Sequence, residues 1–248
     1  MSIVQGEMGA NMYFLKRDVI LLSCTGVAGF SSLLYVALQS TSSINASIVN
    51  STSPLVIVLL ARIFLREKLS NLQYLGTIIS FLGVIWVISQ GNINVLMNFH
   101  FNNGDLLVIV AVLFWALYSL LIKTKGATLP KRATFLTTLL LAIVFLLPFC
   151  LWESRHYSFN IGDISVNMVL AIIYLSIFPT LISFICWNEG VIRVGPTISS
   201  NFLHLITVFA GLFAILIGEK YTTTHFLGAL LILGGVLIVS NPKFSQKR

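Results

Sequence analysis

LLARIFLREKLSNLQYLGTIISFLGVIWV at 59–87 and GLFAILIGEKYTTTHFLGALLILGGVLIV at 211–239 superimpose without a gap when the chain is shifted by 152 residues. Shared Leu and Val carry little weight in apolar segments. The polar and small positions carry more: Glu67-Lys68 falls on Glu219-Lys220, Gly76 on Gly228, and Gly83-Val84 on Gly235-Val236. Each copy reads as the end of one apolar span, a charged turn, and a second span.

Outward from these copies the chain divides into apolar blocks near 18–39, 45–65, 71–89, 105–123, 133–152, 166–189, 197–218 and 223–240. About 20 apolar residues is what an α-helix needs to cross a hydrocarbon core of ~30 Å. Of 248 residues 57% are hydrophobic and only 9% charged, against roughly 25% charged in a soluble domain. The expectation is an all-α membrane protein of about eight transmembrane helices with the lipid bilayer as its solvent. The opening MSIVQGEMGANMYFLKRD lacks the basic start, apolar run and cleavage site of a signal peptide, so insertion falls to the first span.

With a cytoplasmic N-terminus, the connecting segments sort thirteen of the 15 Lys and Arg inside and leave only Arg155 and Lys220 outside. That is positive-inside asymmetry, with both termini cytoplasmic in the cell (inner or plasma) membrane. It also accounts for the net charge of +7 without a nucleic-acid partner. Cys24, Cys150 and Cys186 lie inside apolar blocks with no metal spacing and read as small buried hydrophobes. No phosphate-cradling loop, HExxH, paired His/Asp set or GxSxG is present, so no cofactor, metal or catalytic residue is expected.

Equivalent spans of the two copies stand five spans apart. An odd number places the first Glu-Lys turn inside and the second outside, an inverted-topology repeat of the kind on which secondary transporters rock around a central site. A duplication of this kind is also compatible with a channel or a membrane enzyme. Spans four and five have no counterpart 152 residues earlier. Residues 1–89 therefore read as a first, incomplete unit of three helices, and 104–241 as a second unit of five.

Three stretches carry a family resemblance: SINASIVNSTSPLVIVLLARIFLREKLSNLQYLG at 43–76, GDLLVIVAVLFWALYSLLIK at 104–123, and WNEGVIRVGPTISSNFLHLITVFAGLFAILIGEK at 187–220. They resemble the drug/metabolite transporter superfamily, specifically its EamA branch. The resemblance implies ten spans in two inverted five-helix units, and export of metabolites, amino acids or toxic compounds without ATP. Here the first two helices of that ten-helix fold are missing. Ile206 also stands where the second unit would carry the counterpart of Pro54, which softens the break expected there.

Polar groups in hydrocarbon need a partner or a wet cavity. Glu189, next to Trp187 and Asn188, either lines a cavity or pairs with Arg193 one turn on. His204, after Asn201, either titrates in a proton-coupled cycle or bonds a neighbouring helix. Asn50, Ser53 and Pro54, with Ser51 and Thr52, form the matching element of the first unit. There a proline frees a carbonyl beside hydroxyls. Trp115 and Tyr118 lie one turn apart as candidate walls for an organic solute. Pro179 predicts a kink, and Gly76, Gly83, Gly228, Gly234 and Gly235 predict close helix contacts. The composite expectation is an exporter of small-molecule solutes, with a homodimer compatible. The competing readings are a shortened paralogue that moves nothing, and an intramembrane enzyme using Glu189 and His204 as an acid–base pair.

Overall fold

The computed structural model describes residues 17–126, 128–156, 165–216, 218 and 223–241. Lys16, Glu219, Lys220, Lys243, Lys247, Arg248 and both termini lie outside them. Eight helices among the described residues are long and apolar enough to span a bilayer: α1 Arg17–Ala37, α2 Ser43–Phe64, α3 Asn71–Ile88, α4 Asn103–Lys125, α5 Lys131–Ser154, α6 Val166–Val194, α7 Pro196–Phe213 and α8 Thr223–Ser240. They follow the apolar blocks to within about five residues, and the difference in α6 has a visible cause. That helix runs on through the polar Trp187–Arg193 stretch, because Glu189 and Arg193 pair along one face and Gly195, at φ 94°, ends the helix.

Helix starts are written in side chains. Ser70 and Gln73 close a capping box on α3, and Asn102 with Asp105 closes one on α4. Thr41, in the turn before α2, donates to Asp105 and accepts from Asn102 Nδ2 at 3.2 Å, tying that turn to the start of α4. The most enclosed span is α4, and α1, α2, α6 and α7 all pack against it. Large exposed apolar side chains cover the outer faces of the spans, as lipid contact requires.

Two spans are irregular where small residues or proline sit. In α1, Ser23–Ser31 winds as a π-helix, and Gly26 and Gly29 there lie against the rings of Tyr118 and Phe114 of α4. A Cβ on Gly26 would come within 2.5 Å of the Tyr118 ring. In α6 the predicted irregularity at Pro179 is a π-helical stretch, Ser176–Ile182. The hydroxyls of Thr180 and Ser183 satisfy the carbonyls of Leu175 and Phe178, five residues back.

Helices α3 and α8 run antiparallel, backbone against backbone. A Cβ at Gly76 would meet the Gly235 carbonyl at 2.8 Å, and one at Gly83 the Gly228 carbonyl at 2.9 Å. The contact of 76 with 235 becomes that of 228 with 83 when each residue is replaced by its partner 152 positions away. Gly234 does not belong to this seam: nothing lies within 4 Å of a Cβ built there, since one residue of helix turns it off the contact face. The cysteines also depart from expectation. Cys24 is half-buried, while Cys150 and Cys186 are exposed on the outside of the bundle. In a membrane an apolar setting does not imply burial, because lipid accepts the same side chains as the core.

Candidate functional site

Span α2 is two helices, Ser43–Asn50 and Ser53–Phe64, joined by Ser51 and Thr52. Pro54 has no N–H to give the Asn50 carbonyl, and hydroxyls take over. Ser53 Oγ donates to Asn50 O at 2.6 Å, Thr52 Oγ1 to Val49 O at 2.6 Å, and Ser51 Oγ to Ile48 O at 2.7 Å. Span α7 breaks in the same register: Pro196–Asn201, a 3₁₀ turn at Phe202–His204, then Leu205 onward. The break persists without a proline because tertiary hydrogen bonds hold it. Asn201 Nδ2 donates to Thr197 O at 2.9 Å, and both nitrogens of the His204 ring are engaged.

The two breaks meet at His204. Its Nε2 lies 3.2 Å from the Ser51 carbonyl and its Nδ1 2.7 Å from Ser80 Oγ of α3. A carbonyl only accepts, so Nε2 carries the proton. Nδ1 faces a hydroxyl that can donate or accept. When it donates to Nδ1, the ring is neutral. When Nδ1 is protonated, Ser80 accepts and turns its own proton to Thr77 O at 3.0 Å or Asn201 Oδ1 at 3.3 Å. The ring is thus fully bonded in either charge state.

Beside this junction lies a cavity of about 290 Å³, lined by Asn50, Ser53, Pro54, Trp115 and His204. Sequence reasoning missed Phe30, Ser47 and Thr207 on its wall. Ser47 and Thr207 had a signal, being polar residues a helical turn from Ser51 and Leu203, whereas Phe30 had none. Ile206, the counterpart of Pro54, lines the same cavity.

Below it, toward the end of the bundle that carries Lys123, Lys131 and Arg193, aromatic rings close ranks. Trp115 stacks on Tyr118 with centroids 5.5 Å apart and also contacts Phe30 at 4.9 Å, Trp187 at 5.0 Å and Phe184 at 5.5 Å. Tyr118 is fully buried and donates to Asn188 Oδ1 at 2.7 Å, so it is no interfacial belt residue. On the far side of this layer a second cavity of about 230 Å³ is lined by Tyr118, Asn188 and Glu189. Glu189 accepts from Lys131 at 2.7 Å and pairs with Arg193. The Arg193 pair follows from the i,i+4 spacing. Lys131, 58 residues away, had no local signal.

The ten candidates therefore divide. Five line the first cavity and Tyr118, Asn188 and Glu189 the second. Trp187 packs on Trp115, and Asn201 is buried behind Ser80, and neither lines a cavity. Glu189 and His204 stand in different cavities, which removes the acid–base pair of the enzyme reading.

The first cavity is closed toward the basic end. There Pro196–Asn201 of α7 packs against Ser53–Phe64 of α2, and Thr197 Oγ1 donates to Glu67 Oε2 at 2.7 Å. Lys123 Nζ caps the Ile192 carbonyl at 3.1 Å alongside. At the opposite end Ser43–Asn50 and Leu205–Leu216 do not pack closely on each other, and the cavity lies between them.

The chain matches the EamA-like transporter family over residues 10–89 and 102–241. It is 30% identical over 234 residues to the uncharacterized transporter YyaM of Bacillus subtilis, across 92% of this chain and 75% of that protein. It is 22% identical over 254 residues to a probable terminal-alkyne amino-acid exporter of Streptantibioticus cattleyicolor, across 100% of this chain and 82% of that protein. A solved crystal structure superimposes with a TM-score of 0.74 at 19% identity, covering 93% of this chain and 77% of the other, which is a likeness of fold. From these matches and its eight spans, the chain belongs to the EamA-like transporter family and is a multi-pass membrane transporter rather than an enzyme.

Proposed function

We propose that the chain is a secondary exporter of small amphipathic metabolites, with amino acids foremost, working by alternating access through the cavity at the two helix breaks. The observation that carries this reading is the asymmetry of that cavity. It is sealed at the basic end by the α2–α7 packing and the Glu67–Thr197 hydrogen bond, while at the other end the same two helices make no close packing across it. Polar groups from Asn50, Ser53 and His204 face the rings of Trp115 and Phe30, a lining suited to a solute with one polar and one apolar end. The similarity to an amino-acid exporter favours the same substrate class.

The cycle rests on the two halves being inverted copies, residues 1–89 and 104–241. Three features support that: the exchange of glycine contacts across α3 and α8, the breaks in register in α2 and α7, and left-handed backbone at the equivalent positions Arg66 (φ 54°) and Gly218 (φ 92°). If the halves are related in this way, opening at the basic end is the same packing with the halves exchanged. Arg17, Arg62, Arg66, Lys68, Lys123, Lys125, Lys131, Arg132 and Arg193 lie at that one end, against Arg155 at the other, which supports a cytoplasmic basic face in the cell membrane. The end without the α2–α7 packing is then external, the state after release in an export cycle.

Efflux tests this. Vesicles or cells loaded with mixed amino acids are expected to lose an apolar member faster with the parent chain than with Asn50→Leu or His204→Ala at matched insertion. Equal efflux from the parent and from both inserted variants would remove the central cavity from the path.

A further inference from the structure

The second cavity has chemistry that the transport reading leaves unused. It is enclosed by α1, α4, α5 and α6 and walled by Leu22, Ile122, Phe135 and Ile185. Its polar lining combines the start of α5, with Lys131, Arg132, Thr134 and Thr138, and the facing Tyr118, Asn188 and Glu189, whose carboxylate is neutralised by Lys131 and Arg193. Three features at that start of α5 favour an anion. First, α5 is a long helix whose first N–H groups have no partner within the helix and whose dipole is positive there. Second, Arg132 lines the cavity and makes no ion pair or hydrogen bond among the described residues. Lys131, by contrast, is held by Glu189, and Glu189 is shared with Arg193. Third, Thr134 is only 7% exposed, yet its hydroxyl has no hydrogen-bond partner. A buried hydroxyl left unmet is costly unless a ligand or water meets it.

From these we infer that the second cavity is a separate binding site for a small amphipathic monoanion. The head group sits on the Arg132 guanidinium and the first turn of α5, and accepts from Thr134. The apolar tail lies among Leu22, Ile122, Phe135 and Ile185. At about 230 Å³ the site is below the roughly 300 Å³ at which drug-sized pockets begin, so the ligand is a short-chain carboxylate or one arm of a larger lipid. The layer of Trp115 and Tyr118 stands between this site and the central cavity, so occupation does not require the central path to conduct.

Hexanoate is the probe. Purified full-length protein in nanodiscs of neutral phosphatidylcholine is expected to melt at a temperature that rises with hexanoate and saturates. Arg132→Gln is expected to weaken the apparent affinity at least tenfold, and Thr134→Val several-fold. Gly234→Ala, which lines neither cavity and has open space around it, is expected to leave it unchanged. Arg132 is exposed, so its variant folds, and the melting curve without ligand verifies that. Repeating the titration with part of the lipid replaced by phosphatidylglycerol identifies the natural occupant. Loss of the hexanoate shift assigns the site to the anionic lipid head, and its persistence assigns it to a soluble carboxylate. An Arg132→Gln protein that binds hexanoate like the parent overturns the proposal, as does a parent showing no saturable shift in neutral lipid. Neither outcome bears on the efflux test of the central cavity.

Discussion

His204 is the residue on which the most contacts converge. Its ring joins the breaks of α2 and α7 to α3 through Ser51 and Ser80, and both nitrogens stay bonded whether the ring is neutral or charged. That arrangement suits a proton carrier, and it is expected to show in the pH profile of efflux. His204→Gln is expected to flatten the profile between about pH 5 and 8, where an imidazole changes charge. Ser80→Ala is expected to shift the profile without abolishing efflux, because it removes the hydroxyl that adapts to both ring states. Unchanged profiles in both variants would make the histidine a static strut. How far such residues could be read beforehand varied with distance along the chain. The positions of Asn50, Ser53, Pro54 and His204 were legible because polar groups and a proline inside a 20-residue apolar block have to be accounted for. The roles of Ser80 and Lys131 carry no such mark in the sequence. Their partners lie 124 and 58 residues away, and no local pattern encodes which side chain arrives opposite.

The helices were legible as elements and less so as packed objects. Apolar length located all eight spans, since hydrocarbon thickness dictates it. The π-helical turn at Pro179 follows from the missing N–H, but the one at Ser23–Ser31 carries no such mark beyond its small residues. The cysteines show the limit of hydrophobicity as a guide. It locates a span and leaves open whether a given face meets lipid or protein. Glycine spacing did identify a seam, with Gly234 as the position it misassigned. Gly235→Val is expected to destabilise the protein by roughly 1–3 kcal/mol, because its Cβ runs into the Gly76 carbonyl and Ser80. Gly234→Ala is expected to cost little, having open space around it. Thermal unfolding of the two in matched detergent compares them directly, and equal melting points would mean the seam is not tightly packed.

For the molecule as a whole, the key property is the difference between its two ends. Glu67 and Thr197 touch at the basic end, where the first half of α7 lies on the second half of α2. A Glu67→Cys/Thr197→Cys pair, placed in a background without Cys24, Cys150 and Cys186, is expected to be bridged by a short bis-methanethiosulfonate cross-linker, whose reach replaces that of the Glu67 side chain. Efflux should then stop and return on reduction. Full efflux from the cross-linked protein would mean that this end need not open.

The α3–α8 seam restricts how any such opening proceeds. Carbonyls of one helix rest against the backbone of the other at two glycine steps, Gly76 on Gly235 and Gly83 on Gly228. Sliding by one residue would drive Ser80 or Val87 into the opposite main chain, whereas tilting about the line of contact keeps both steps seated. The seam therefore acts as a bearing: stiff against shear and free in rotation. An opening that keeps both glycine steps seated is then a tilt of the two helices against each other and not a slide.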